Sequence, residues 1–388
     1  MPLLIFEPEE IGHRANYFNA FIRHAAAHPE TGEVIYALSE KLFLRLEPNT
    51  LQELSASDGR LRVRLLTEPE IQFVERSAME VRSNFNRWRL ALKIAAEETA
   101  GRILFPLLDD VMKAAAIMPV TRFEISGIYF RPTTHFAEYR KGPVGLTRQA
   151  AKALLVKRFL DRGDSKSLSS FDPWFTDFAQ SAYSNGAKVR TVPEPIDVPG
   201  ADKPPRANGA IRFLFFGALQ KRKGVAEFIG AFKYLNPDYR SMAEFSICGE
   251  GELSSLIRQA LPEIKARGWK INFEQGFLPE PVLMERLKAA DAILAPYRDH
   301  IGSSGALYVA AGLRCPVITQ ATGLLGRQVT KYRLGEAIDT GNPEQIARAI
   351  EQTTDRLFSN ASNVDADYEG FSAGHGSEAF AQAIYEHS

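Results

Sequence analysis

Three consecutive cations, Lys221-Arg222-Lys223, stand between Gly217 and Gly224 just after the apolar run Ile211–Phe216. Side chains of this type neutralise a diphosphate, and the flanking glycines let backbone amides approach its oxygens. A second such pattern, Asp299-His300-Ile301-Gly302-Ser303-Ser304-Gly305, follows the apolar run Ala292–Ala295. Its small residues open the start of the next helix to an anion, and either serine is able to cap that helix. The third, Cys248-Gly249-Glu250-Gly251-Glu252, carries a G-x-G that is weak evidence alone. Each has a plain structural reading beside the chemical one: a solvated basic loop, a capped helix start, a tight turn. All three are strand-to-helix junctions, which favours one shared phosphate-binding edge.

The N-terminal half offers two further junctions. In Glu10-Ile11-Gly12-His13-Arg14, Gly12 would let a phosphate or sugar lie near a helix start, with His13 beside it. In Phe130-Arg131-Pro132-Thr133-Thr134-His135, Arg131 and His135 are candidates to orient an acceptor or support the sugar. Other patterns are set aside. Asp365-Ala366-Asp367 has metal-type D-x-D spacing but lies in a polar stretch with no strand leading into it, and Asp109-Asp110 reads as a helix start. The seven histidines and two cysteines show no metal-ligand spacing, so no metal is expected. Segment 140–162 is basic with an apolar face of Leu154, Leu155 and Phe159. An ordinary helix packed on the sheet is preferred there to peripheral membrane contact.

The elements that must position these loops follow from periodicity. Short apolar runs at Leu3–Phe6, Val34–Ala37, Arg62–Leu66, Ile103–Phe105, Phe123–Tyr129, Ser167–Phe171 and Val189–Val192 read as strands. A second series comprises Ile211–Phe216, Glu244–Cys248, Lys270–Glu274, Ala292–Ala295, Pro316–Thr319 and Ala337–Ile338. Helical patterns alternate with them, including long ones over 70–98 and 145–160, which predicts an α/β fold of two Rossmann-like doubly wound parallel sheets. The proline-rich stretch 193–210 reads as a hinge. The expected division is an acceptor domain over 1–196, a linker over 197–210, a donor domain over 211–370, and a C-terminal helix within 371–388 returning to the first domain. A ligand is then expected in the cleft between the domains.

Composition narrows the class. Lys+Arg and Asp+Glu balance at 47 each, so no overall field points to nucleic acid, and any anion site is local. Two widely spaced cysteines fit a reducing compartment. The N-terminus does not read as a signal peptide, since Pro2–Phe6 is short and acidic residues follow it; a cytoplasmic chain is expected.

The ordered set Gly217–Gly224, Gly249-Glu250-Gly251, Leu283–Pro296, Gly302–Gly305 and Pro316-Val317-Ile318 resembles the retaining, GT-B-fold glycosyltransferases of the glycogen-synthase-like family 4. The resemblance covers the C-terminal half, and the N-terminal half is similar mainly in layout and in the Gly12 loop. It implies transfer of a sugar from a nucleoside-diphosphate donor to a glycan, lipid-linked or protein acceptor, in polysaccharide or glycoconjugate biosynthesis, without a metal or other cofactor. The donor would be held by Gly12, His13, Gly217, Arg222, Lys223, Gly249, Gly251, Ser303, Ser304 and Gly305, with His135, Arg131 and Asp299 in catalytic roles. The sequence departs from the family at Ala218, where an arginine is usual, and at Ile301 and Val309, which occupy the places of paired glutamates. A non-catalytic relative that binds a partner, or an epimerase or phosphorylase on the same fold, is therefore the alternative. No convincing G-x-G-x-x-G with a downstream acid supports a dehydrogenase.

Overall fold

A computed structural model describes residues 1–10, 14–75, 80–197, 209–359 and 365–388. The chain divides into two compact units, one built from Met1–Asp197 with Gly374–Ser388 and the other from Val198–Ala373. Most of the stretch read as a linker, 198–208, lies outside the described residues.

The first unit is a seven-stranded parallel sheet: β1 (Leu3–Glu7), β2 (Val34–Leu38), β3 (Leu61–Leu65), β4 (Arg102–Phe105), β5 (Glu124–Ile128), β6 (Ser165–Ser170) and β7 (Val189–Thr191). Its spatial order is β3-β2-β1-β4-β5-β6-β7. The strands β1 and β2 are buried along their whole length, because helices cover both faces of a parallel sheet and leave no polar side to alternate with. Trp88, Phe105, Phe159 and Phe175 pack one face, while Phe18, Phe21, Tyr36 and Phe380 pack the other. Phe380 comes from the C-terminal helix Ser377–His387 and stacks on Phe21 of the helix Arg14–Ala27, with ring centroids 5.2 Å apart. The helix Gly142–Leu160 buries Val156 and Phe159 and leaves Leu154 exposed.

The second unit repeats the plan with six parallel strands: β8 (Ile211–Phe216), β9 (Ala243–Gly249), β10 (Lys270–Gln275), β11 (Ala292–Ala295), β12 (Val317–Gln320) and β13 (Gly335–Ile338). Their order is β10-β9-β8-β11-β12-β13. Phe213, Phe215, Phe228, Phe245 and Trp269 form an aromatic centre for this core. In each sheet the strand order reverses once, between β1 and β4 and between β8 and β11. The crevice beyond the carboxyl ends of the strands at such a reversal is where doubly wound sheets bind ligands.

The helical pattern over 70–98 holds the helices Glu68–Glu75 and Glu80–Glu97, and residues 76–79 lie outside the described ones. One expectation changes. The pair Asp109-Asp110 ends a short 3₁₀ turn, Leu108–Asp110, ahead of the helix Met112–Ile117. Asp367 of the D-x-D motif caps the helix Tyr368–Ser372, accepting from the Gly370 amide at 2.8 Å. Among the described residues no helix is long and apolar enough to cross a membrane.

Candidate functional site

In the second unit, the loops following β8 and β11 border the reversal of strand order. Their closeness depends on glycine. Gly224 has φ +73°, and a Cβ there would lie 1.8 Å from the carbonyl oxygen of Pro296, so no side chain fits where the two loops touch. The Arg298 amide donates to the Arg222 carbonyl at 2.8 Å, fastening the same two loops. A Cβ on Gly249 would fall 2.0 Å from the Gly217 oxygen and one on Gly251 2.6 Å from the Leu219 oxygen. The G-x-G after β9 therefore seats the neighbouring loop, which is the tight-turn reading of that motif.

Within this frame Lys223 and Ser304 converge on a residue that the sequence reading passed over. The phenolic oxygen of buried Tyr297 accepts a hydrogen bond from Lys223 Nζ at 2.6 Å and another from Ser304 Oγ at 3.0 Å. Tyr297 itself is pinned through its carbonyl, which accepts from Thr340 Oγ1 at 2.5 Å. Ser304 occupies the N-cap position of the helix Gly305–Gly312 but makes no side-chain cap bond. The expected serine cap is thus replaced by the bond to Tyr297, and the hydroxyl does not compete for the first-turn amides. Those amides carry the partial positive charge of a helix start.

Gln320, at the end of β12, braces the second loop. Its Oε1 accepts from the His300 amide and its Nε2 donates to the His300 carbonyl, both at 2.9 Å. His300 Nε2 lies 2.9 Å from the Ser303 carbonyl oxygen, so it donates there. Asp299 is exposed, with φ +50°. Arg222 and Lys221 are exposed, and the Arg222 guanidinium makes a local contact, Nε donating to Gln220 Oε1 at 3.0 Å. Ile301 and Val309, at the glutamate positions, are half-buried apolar groups. Cys248 is buried, which pushes its thiol up to about 11 and leaves it unreactive near neutrality.

The first unit carries a charged cluster at its own reversal point. Buried Glu7, the last residue of β1, pairs through Oε2 with Arg14 Nε at 2.9 Å. Arg14 also reaches Glu9 and Asp110, each at 3.1 Å, and Arg87 reaches Asp110 at 3.0 Å and Glu9. Burial drives the Glu7 carboxyl up to about 7, against the opposing pull of Arg14. Asp109 is likewise raised by burial, to about 6, although it accepts from the Phe130 amide at 2.7 Å and the Arg131 amide at 3.1 Å. Glu7 and Glu9 escaped the sequence reading, and Asp109-Asp110 was read only as a helix start, because the partners of these acids come from three separate segments, at Arg14, Arg87 and Phe130-Arg131. Asp109 shapes the loop after β5 and leaves the Arg131 side chain exposed.

Gly12 and His13 lie outside the described residues. His135 is placed differently from the expectation: its side chain is only 3% exposed, enclosed by Phe136, Phe175 and Phe178, with Nε2 3.0 Å from Asp172 Oδ2. Asp172 also caps the helix Pro173–Ala182 through the Phe175 amide. An enclosed, paired imidazole anchors its loop to that helix and does not present itself to a substrate.

Residues 210–356 match the family model of group 1 glycosyl transferases. No curated protein matches the chain. Among solved structures, the chain is similar along its whole length to WaaG, a glycosyltransferase involved in lipopolysaccharide biosynthesis (14% identity, TM-score 0.64, covering 100% of this chain and 99% of that one). Anabaena HepE in complex with UDP and glucose is similar at 13% identity and TM-score 0.62, covering 100% and 98%. An E. coli trehalose-6-phosphate protein bound with UDP-2-fluoro glucose matches at 10% identity and TM-score 0.60, again over 100% and 98%. At such identities the likeness is one of fold, and the fold is GT-B.

Proposed function

We propose that this GT-B chain, with a group 1 glycosyl transferase region over residues 210–356, moves a sugar from a nucleoside-diphosphate donor to an acceptor hydroxyl. The observation that carries the reading is the junction at Tyr297, where Lys223 and Ser304 meet on one oxygen at the strand-order reversal of the second unit. A pyrophosphate set there would take the Lys223 ammonium on one side and the first amides of the helix Gly305–Gly312 on the other. Arg222, exposed on the same loop, adds a second cation. As the bond from the anomeric carbon to the leaving oxygen breaks, negative charge grows on the diphosphate, and fixed donors aimed at that charge lower the barrier. The lysine and arginine then do the neutralisation for which other transferases use a divalent ion, so turnover is expected to persist in EDTA. Neighbours of this fold that hold UDP, UDP with glucose, or a fluorinated UDP-glucose support a nucleotide-sugar donor. A retaining outcome rests on the family resemblance and is read from the anomeric configuration of the product. The acidic cluster at Glu7, Asp109 and Asp110, with Arg131 beside it, is the part of the first unit suited to acceptor hydroxyls.

Lys223→Ala tests the reading. We expect donor turnover to fall by about 10²–10³, the usual loss for one preorganised charge partner, with the melting temperature in the absence of ligand little changed. Undiminished turnover would remove the loop from the mechanism. A second reading, a nucleotide-binding chain without catalysis, is favoured by the apolar Ile301 and Val309. Thermal stabilisation by a nucleoside diphosphate without turnover of any donor, in a panel of UDP, GDP, ADP and TDP and their sugars, would select it.

A further inference from the structure

His24 lies in the last turn of the helix Arg14–Ala27, and His28 is the first residue beyond its end. Their rings stack with centroids 4.3 Å apart and planes 24° from parallel. Glu378, from the first turn of the helix Ser377–His387, meets both: Oε1 is 2.7 Å from His24 Nδ1 and 3.3 Å from His28 Nε2. The ligand atoms of the three residues all lie within 4.8 Å of one another. On its far side, His28 Nδ1 is 3.0 Å from Glu30 Oε1.

This arrangement gathers two imidazole nitrogens and a carboxylate oxygen, a donor set suited to a transition metal. A carboxylate oxygen only accepts, and His28 has one carboxylate at each ring nitrogen. With Nδ1 turned to Glu30, His28 presents Nε2 on the side of Glu378 and His24 Nδ1. We propose that a divalent transition-metal ion of the zinc class binds here, held by His24 Nδ1, His28 Nε2 and Glu378, with water completing the shell. Tetrahedral zinc with bonds of about 2.0–2.1 Å separates its ligand atoms by roughly 3.3 Å, the spacing of His28 Nε2 from Glu378, while the 2.7 Å between His24 Nδ1 and Glu378 would open by about half an ångström on binding. Glu30 supplies the outer hydrogen bond that metal-bound histidines receive. Two histidines four apart on a helical turn are a recurrent zinc pair, and the third ligand stands 350 residues further on, which hid the set from a reading by spacing.

The position argues for a structural ion. The site lies at the last turn of a helix that starts beside the carboxyl end of β1, so His24 sits about 15 Å along that helix from Arg14 and away from the edge where the charged cluster gathers. Its effect is to clamp the segment 374–388 onto the first unit. His28 and Glu378 are 41% and 63% exposed, open to ions from solution, whereas His24 is nearly enclosed at 6%.

The full-length chain, stripped with EDTA and dialysed free of it, would be titrated with Zn²⁺ by calorimetry. His28→Gln and Glu378→Gln would be measured alongside, with far-UV circular dichroism to establish that each folds. We expect one zinc per wild-type chain at this site, a rise in melting temperature on binding, and affinity weakened at least about tenfold in each variant with the rise abolished. Glu30→Gln is expected to weaken binding less than either. No zinc uptake by the wild type, or uptake and stabilisation that survive both substitutions, would overturn the assignment.

Discussion

One phenolic oxygen at Tyr297 takes hydrogen bonds from both Lys223 and Ser304, so its loss leaves an ammonium and a hydroxyl without their common acceptor. We expect Tyr297→Phe to lower stability by about 1–2 kcal/mol and to weaken nucleoside-diphosphate binding, measured by calorimetry. Unchanged affinity would mean that the phenol does not position Lys223. A different residue sets a pH dependence. Glu7 has its folded-state pKa raised from 4.5 to about 7 by burial, so the folded chain retains a proton that the unfolded chain gives up. That contribution to stability is complete below pH 4.5 and is lost as pH rises through 7. The melting temperature of Glu7→Gln is therefore expected to gain on the wild type between pH 4.5 and 7, then run parallel above. A constant difference across that window would refute the shift. Neither residue was conspicuous in the sequence: Tyr297 is one of 12 tyrosines, and Glu7 acquires its character only from enclosure by the folded sheet. Lys223 and the Ser303-Ser304 pair stood out in the sequence because cations and small residues beside glycine at a strand end suit an anion. His135 misled, since nothing local reveals that aromatic rings close over it.

Elements were read more securely than sites. Strands such as β1, β2 and β11 coincide with short apolar runs, because a strand buried on both faces of a parallel sheet is apolar nearly throughout, whereas β3, β7 and β10 are half-exposed and carry charged residues. What spacing could not supply is which loops touch, and that is decided by the glycines. Gly224 lets the loop after β8 rest on Pro296 with no room for a methyl group, at a φ that side chains disfavour. We expect Gly224→Ala to cost about 2 kcal/mol or more and to abolish nucleoside-diphosphate stabilisation in a thermal shift assay. Gly59→Ala, at φ +76° with nothing within 4 Å, provides the comparison, carrying backbone strain without the collision. Equal losses in the two variants would show that conformation alone, and not loop contact, is at stake.

On the scale of the whole molecule, the first unit is assembled from two stretches of chain that flank the second in sequence. The helix Ser377–His387 inserts Phe380 and Ile384 into the core beside Phe21 and Tyr36, and Tyr385 Oη donates to the Phe21 carbonyl at 3.1 Å. Burial of two such side chains is worth roughly 3–6 kcal/mol, so deletion of residues 374–388 is expected to strip hydrogen-exchange protection from β1, β2 and the helix Arg14–Ala27 while β8 and β9 keep theirs. Uniform protection in the deleted chain would contradict that division. The same split has a consequence for biosynthesis. A ribosome adds about 5–20 residues per second, so the early stretch must wait on the order of ten seconds or more for its closing helix while the intervening Rossmann-like unit is made. The later-encoded unit is then free to fold first, and the exposed aromatic face of Phe18 and Phe21 is what a chaperone would meet on the nascent chain.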